Sequence, residues 1–259
     1  MRLRGAMTAT FPGYSAGRPS IAPSSAAATA ARAPAIRQPP KLVALGDSVV
    51  YGYGDPELGG WAERLRRRWM GQGLMPNSCS VAPVLYNLGV RGDGVVQVTK
   101  RLEAEFAQRG ELRNQTPDGI ILSVGINDSA QLGRMGGRNY LGFEKFEVAI
   151  AQLLEQAQRL APVYFVGMTP VSEAQMPFMD CFYYSHEQQH RYKEATRKAC
   201  ESRSIPYLDL FEQWSSRGER WCQSHLCVDG LHPNTQGHDE ILKAVLAWEA
   251  MQPFEPAMG

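Results

Sequence analysis

The chain has 259 residues, with 27 basic and 26 acidic side chains and a net charge of +1; at about 100–200 residues per domain, that length allows one large domain or two small ones. The charge is uneven: residues 1–40 hold five arginines, 11 alanines and six prolines but no acid, so the other 219 residues carry 22 basic and 26 acidic groups. That mildly acidic body offers no electrostatic footprint for nucleic acid, and no run of apolar residues approaches the ~18 needed for a membrane-spanning helix.

Residues 1–40 have too few large apolar side chains to offset the entropy of ordering, so a disordered leader is expected there. Its acid-free, Ala- and Arg-rich composition fits an organelle transit peptide, and it fits a non-native or misassigned start as well. A secretory signal fits poorly, because prolines and serines interrupt the Ile21–Ala35 stretch. Five cysteines, Cys79, Cys181, Cys200, Cys222 and Cys227, are an odd number scattered over a long chain. They argue against a disulfide framework and for a reducing compartment, so a cytoplasmic location is expected. Residues 41–259 then form one folding unit.

Along that unit, Lys41–Gly46 is a short apolar run ending at glycine, the pattern of a buried parallel strand. Glycines and Pro56 mark a loop over residues 52–60. Trp61, Leu65 and Trp69 recur at spacing four and predict an amphipathic helix over 61–72, with Arg64, Arg66, Arg67 and Arg68 as its solvated face. A second strand is expected over Val81–Leu88, a helix around Val95, Val98, Leu102 and Phe106, and a third strand over Asp118–Gly125. The longest helix is expected over 140–160, then a fourth strand at Val163–Gly167. A Ser185/Gln188 capping box opens a helix reaching Arg203. Pro206–Leu208 reads as a fifth strand and Thr235–Trp248 as a closing helix capped by Asn234. Strands alternating with helices imply a parallel sheet with right-handed crossovers and helices on both faces. Ligands bind such folds outside the carboxyl ends of the strands.

Polar clusters stand at those ends: Gly46-Asp47-Ser48, Asn87 to Asp93, and Gly125-Ile126-Asn127-Asp128. A fourth, Asp229-Gly230-Leu231-His232, precedes the last helix. Acyl transfer to water needs a hydroxyl nucleophile with an imidazole in hydrogen-bond reach. It also needs a carboxylate that holds the imidazole in one tautomer, and two or three fixed donors for the developing oxyanion. Ser48, His232 and Asp229 supply the first three groups. The N–H groups of Ser48 and Gly92 and the Asn127 amide supply the donors. Asp47 is expected to support its turn, and Asp128 to hold its own loop through nearby backbone N–H groups.

With these four blocks in order, the chain resembles the SGNH hydrolase superfamily, the GDSL-type esterases and lipases, over about residues 41–250. Gly46-Asp47-Ser48 matches its nucleophile block, although Val49 stands where many members have Leu. Gly92 matches the oxyanion glycine, Asn127 the oxyanion asparagine, and Asp229 with His232 the Asp-x-x-His block. The resemblance implies an α/β fold, a three-layer α/β/α sandwich of flavodoxin-like type around a five-stranded parallel sheet. It also implies a serine hydrolase that needs neither metal nor organic cofactor.

Three other motifs carry less. Gly13-Tyr14-Ser15-Ala16-Gly17 matches a nucleophile elbow but lacks the preceding strand that motif requires. Arg91-Gly92-Asp93 spells an adhesion tripeptide on the oxyanion loop. Cys222, His225 and Cys227 suggest a metal cluster, but the spacing is not a standard zinc pattern; core cysteines or a local Cys222–Cys227 disulfide are the expected alternatives. A glycan acceptor motif occurs at Asn114, and another falls on Asn127 itself. Arg91, Arg134 and Arg138 read as solubilising loop charges, with an anionic substrate group as the alternative. Residues 169–184 hold Met176, Phe178, Met179, Phe182, Tyr183 and Tyr184, which suggests a lid or pocket wall sized for an acyl chain; a dimer contact is the alternative. The expected substrate is a small acyl ester or thioester of short to medium chain. A carbohydrate O-acetyl ester is the runner-up, and a catalytically silent ligand-binding module is the reading outside enzymes.

Overall fold

The computed structural model describes residues 38–74, 82–110 and 116–255. The expected leader, apart from Gln38–Pro40, and Cys79, Val81, Asn114 and Ser15 lie outside the described residues. Five strands, β1 (Lys41–Gly46), β2 (Val84–Gly89), β3 (Gly119–Ser123), β5 (Val163–Val166) and β7 (Tyr207–Leu208), form one all-parallel sheet. Its order is β2-β1-β3-β5-β7, so β1 lies next to one edge and the winding reverses between β1 and β3. This is the flavodoxin-like order, with its crevice at the carboxyl end of β1.

β1 shows why the sheet needs cover on both faces. All six of its residues are buried; Val43 and Leu45 enter one core while Leu42 and Ala44 enter the other. On the first face pack α3 (Val95–Gln108), α4 (Phe143–Leu160) and α5 (His186–Glu201), through Val98, Leu102, Ile150, Leu153 and Tyr192. On the second pack α2 (Gly60–Gly73) and α8 (Thr235–Ala247), through Trp61, Leu65, Trp69, Ile241 and Val245. The expected three layers are therefore present. Among the described residues no helix is long and apolar enough to cross a membrane.

The glycines ending β1 and β2 are steric necessities. A four-residue helix, α1 (Ser48–Tyr51), crosses directly over the strand ends. A Cβ on Gly46 would lie 2.0 Å from the Ser123 carbonyl oxygen, and one on Gly89 would lie 2.0 Å from the Tyr51 nitrogen. Real Cβ atoms do not approach so closely in a packed interior. Strand-terminal glycine thus lets the segment that carries Ser48 sit close on the sheet edge.

Several expectations shift. The long helix begins at Phe143 rather than 140, because the N–H groups of Tyr140 and Leu141 are drawn back to the carbonyls of Ala130 and Asp128. Ser185 caps α5 by accepting from the Gln188 N–H, but the Gln188 side chain bonds Asn139 instead of closing the box. Arg64 is no solvated residue: its side chain is 9% exposed and bridges the buried Asp55 to the partly exposed carboxylate of Asp239. Two short helices, α6 (Leu210–Ser215) and α7 (Glu219–Ser224), fill the segment before the last block. A two-stranded antiparallel ribbon, β4 (Gln131–Leu132) with β6 (Phe182–Tyr183), joins the third block to the 169–184 insertion. Cys222 and Cys227 are both free thiols. The disulfide alternative is therefore incorrect: Cys222 is a buried core residue whose thiol faces the Trp214 carbonyl.

Candidate active site

Asp47 caps α1 by accepting the Val49 N–H at 2.9 Å. Ser48 is therefore the first helical residue, and its own N–H has no acceptor within the helix. The Ser48 hydroxyl is aimed at the far end of the chain. Its Oγ lies 2.9 Å from His232 Nε2, across 184 residues, and His232 Nδ1 lies 2.8 Å from Asp229 Oδ2. Ser48 and His232 are both 4% exposed.

The last block is built so that the carboxylate and imidazole meet. Asp229 Oδ1 accepts the backbone N–H groups of Leu231 and His232, at 2.9 and 3.0 Å, which folds Asp229–His232 into a tight turn. Burial opposes the charge of Asp229, but the His232 side chain and those two N–H groups outweigh it and hold its carboxyl below the usual range. The carboxylate thus remains ionised, and its second oxygen fixes Nδ1 as the protonated ring nitrogen.

The second and third blocks meet through Asn127 and Asp93. Asn127 Nδ2 donates to the Asp93 carbonyl at 2.9 Å, so the amide stands against the loop of Gly92. Gly92 has φ +81°, and a Cβ there would meet open space. That leaves the loop accessible from solvent while its backbone takes a conformation favourable only to glycine. Asp128 accepts the Val95 N–H at 3.0 Å, which ties the third block to the start of α3, a longer reach than its expected local role. Burial pushes both Asp47 and Asp128 up to about 7, against the lowering effect of their backbone N–H partners.

Further groups support this arrangement, and Arg101, Tyr53 and His238 among them carry no local sequence signal. Arg101 donates to the carbonyls of Gly46 and Leu88 and to the Asp93 carboxylate, at 2.9, 2.8 and 2.8 Å, pinning two strand ends and the Gly92 loop together. The Tyr53 ring packs on the His232 ring at 4.4 Å between centroids, and Phe178 meets it edge-on at 5.6 Å. The 52–60 loop that carries Tyr53 is itself fixed. Asp55 accepts from Gly60 N–H and from Arg64, and His238 bonds the Tyr53 carbonyl at 3.0 Å. Arg91 is exposed, and its guanidinium lies over the Tyr53 ring at 4.3 Å. The 169–184 insertion forms a third small core in which Val171 and Tyr184 join Ile126, Ala130 and Leu231, with Met176, Phe178 and Phe182 packed against them. It is thus a wall beside His232, with Met179 left exposed at its tip. Cys222, His225 and Cys227 do not converge; among the described residues no group of three metal-capable side chains does.

The model of the GDSL-like lipase/acylhydrolase family matches residues 44–240. No curated protein matches. Among solved structures, a lipase/acylhydrolase from Enterococcus faecalis superposes with a TM-score of 0.65 at 19% identity, covering 85% of this chain and 100% of that one. An acetyl xylan esterase from Geobacillus stearothermophilus gives 0.60 at 16% identity, over 86% of this chain and 97% of that one. The psychrotrophic esterase EstA from Pseudoalteromonas sp. gives 0.55 at 18% identity, over 80% and 94%. At these identities the structures speak for the shared fold.

Proposed function

Because the chain belongs to the GDSL-like lipase/acylhydrolase family, we propose that it hydrolyses esters or thioesters of short to medium acyl chains, with Ser48 as nucleophile. The observation that carries this reading is the unbroken line from Ser48 Oγ through His232 to Asp229, with links of 2.9 and 2.8 Å.

In that reading His232 Nε2 takes the proton from Ser48 as the oxygen attacks the acyl carbon. Asp229 stabilises the imidazolium that forms. The negative charge moves to the former carbonyl oxygen, where the N–H groups of Ser48 and Gly92 and the second hydrogen of the Asn127 amide receive it; one such donor contributes about 2.7–4 kcal/mol. His232 then returns its proton to the leaving alkoxide or thiolate. Water repeats the cycle on the acyl-enzyme and releases the acid. Asp47 and Asp128 take no part in proton transfer, since each is buried and engaged with a backbone N–H.

Phe178 against His232, with Met176 and Phe182 behind it, supports an apolar acyl group over an open carbohydrate platform. A p-nitrophenyl ester series from acetate to dodecanoate, run beside an acetylated xylo-oligosaccharide, separates these substrates. Activity is expected to be highest on the short and medium esters and to be lost in Ser48→Ala. A fluorophosphonate probe is expected to label wild type and not that variant. Wild type inert to both ester and probe points instead to a silent binding module, and undiminished activity in Ser48→Ala removes Ser48 as the nucleophile.

A further inference from the structure

The orientation of the Asn127 amide is not fixed by Asn127 itself. Its Nδ2 donates to the Asp93 carbonyl, which can only accept. Its Oδ1 lies 3.3 Å from the hydroxyl of Tyr184. Tyr184 is 2% exposed, and a phenol buried that deeply needs a partner for its O–H. Its ring lies in the small core with Ile126 and Ala130, which bracket the turn bearing Asn127. The two bonds are mutually consistent in one orientation only. Turning the amide over would set Oδ1 against the Asp93 carbonyl, acceptor against acceptor.

The geometry points to Tyr184 as a positioning residue for oxyanion stabilisation. Its hydroxyl holds Oδ1, so the amide keeps its N–H groups toward the Gly92 loop. The inference rests on the proposed hydrolase reading, in which Asn127 is a donor to the oxyanion. It goes further by assigning a role to the 169–184 insertion, which lies outside the four blocks. The insertion reaches the oxyanion side through Tyr184 and the imidazole through Phe178. The β4–β6 ribbon holds the two ends of this arrangement in register, pairing Gln131 with Tyr183 next to Tyr184.

The test is a double-mutant cycle with Tyr184→Phe and Asn127→Ala, assayed on a p-nitrophenyl ester, with rates normalised by end-point titration with a fluorophosphonate. Phe keeps the ring in its cluster and removes only the hydroxyl. Removing a hole donor lowers kcat about 10²–10³-fold; loosening one is expected to lower kcat roughly tenfold, with KM within about twofold. In the Asn127→Ala background the Tyr184→Phe change should have no further effect on kcat, because the group it positions is gone. Wild-type kcat in Tyr184→Phe overturns the inference. So does an equal loss in both backgrounds, which marks a structural role. Full activity in Asn127→Ala alone overturns the assignment of Asn127 instead, and is read separately from the Tyr184 result.

Discussion

Replacing His238 by Asn is expected to change how stability depends on pH. His238 is completely buried. Its Nδ1 accepts the Trp61 backbone N–H at 3.2 Å and its Nε2 donates to the Tyr53 carbonyl at 3.0 Å, which defines a neutral ring with the proton on Nε2. A second proton on Nδ1 would face the Trp61 N–H, donor against donor. Burial accordingly lowers its pKa from 6.5 to about 4; the Tyr53 carbonyl and Asp55 work the other way, while Arg64 and His232 reinforce the shift. The unfolded chain therefore binds the proton more readily across this interval, and stability is lost as pH falls from 6.5 through 4. Linkage makes that loss about 2 kcal/mol between pH 7 and pH 5, and about 3 kcal/mol by pH 4. Asp47 and Asp128 act oppositely. Their folded values near 7 make their contribution favourable in acid and unfavourable as pH rises through 7. Both are shared by wild type and variant, so they cancel in the difference. Urea unfolding followed by tryptophan fluorescence measures that difference. At pH 7 His238→Asn should be less stable by about 1–3 kcal/mol, for the lost bond to a buried carbonyl. By pH 5 the gap should shrink by about 2 kcal/mol at unchanged m-value. A gap that stays constant between the two pH values refutes the argument.

Three further outcomes follow from the same geometry. Asp229→Asn should leave the fold intact and lower kcat about 10⁴-fold, since the amide favours the wrong imidazole tautomer; steady-state kinetics beside a circular dichroism spectrum check this, and a loss under tenfold contradicts it. Gly89→Ala should yield little folded protein, because its Cβ would sit 2.0 Å from the Tyr51 nitrogen; a soluble variant with wild-type melting temperature would show that α1 can lift off the sheet. Thiol labelling of the native chain should modify the exposed Cys181 and spare Cys200, whose thiol burial pushes up to about 12; peptide mapping reads both sites, and rapid modification of Cys200 would mean that α5 opens readily.

The sheet and the four blocks were legible in the sequence because each rests on a local rule. A buried parallel strand is a continuous apolar run, and β1 and β3 are wholly buried. The last block reads from its own spacing, since Asp229 and His232 bond within one turn. What escaped has no period to read. β4 and β6 are two residues each, too short to show alternation. Arg64 and Arg101 sit on amphipathic helices where an arginine ordinarily faces water, and only the tertiary fold brings Asp55 and the Gly46 and Leu88 carbonyls to them. The Cys222–Cys227 disulfide failed for a related reason: proximity in sequence says nothing of direction, and the Cys222 thiol turns inward to Trp214 while Cys227 faces the Gly54 and Pro233 carbonyls.

The groups that touch the imidazole also bear on what the site accepts. Ser48, Asp229 and Asn127 each sit on a turn closed by its own local hydrogen bonds. The walls are different. Tyr53 arrives on a loop tied down by Asp55 and His238, whereas Phe178 arrives on an insertion held by its own small core and a two-residue ribbon. A side chain added or removed at Phe178 alters the space beside His232 without displacing the line from serine to carboxylate. In the proposed reading, acyl size is therefore set by Phe178, while the line from Ser48 to Asp229 rests on the turns that carry those residues. Phe178→Ala should then shift the preferred p-nitrophenyl ester to a longer chain while preserving kcat on the shortest ones. A uniform loss across chain lengths would show instead that the Phe178 ring serves to hold the imidazole in place.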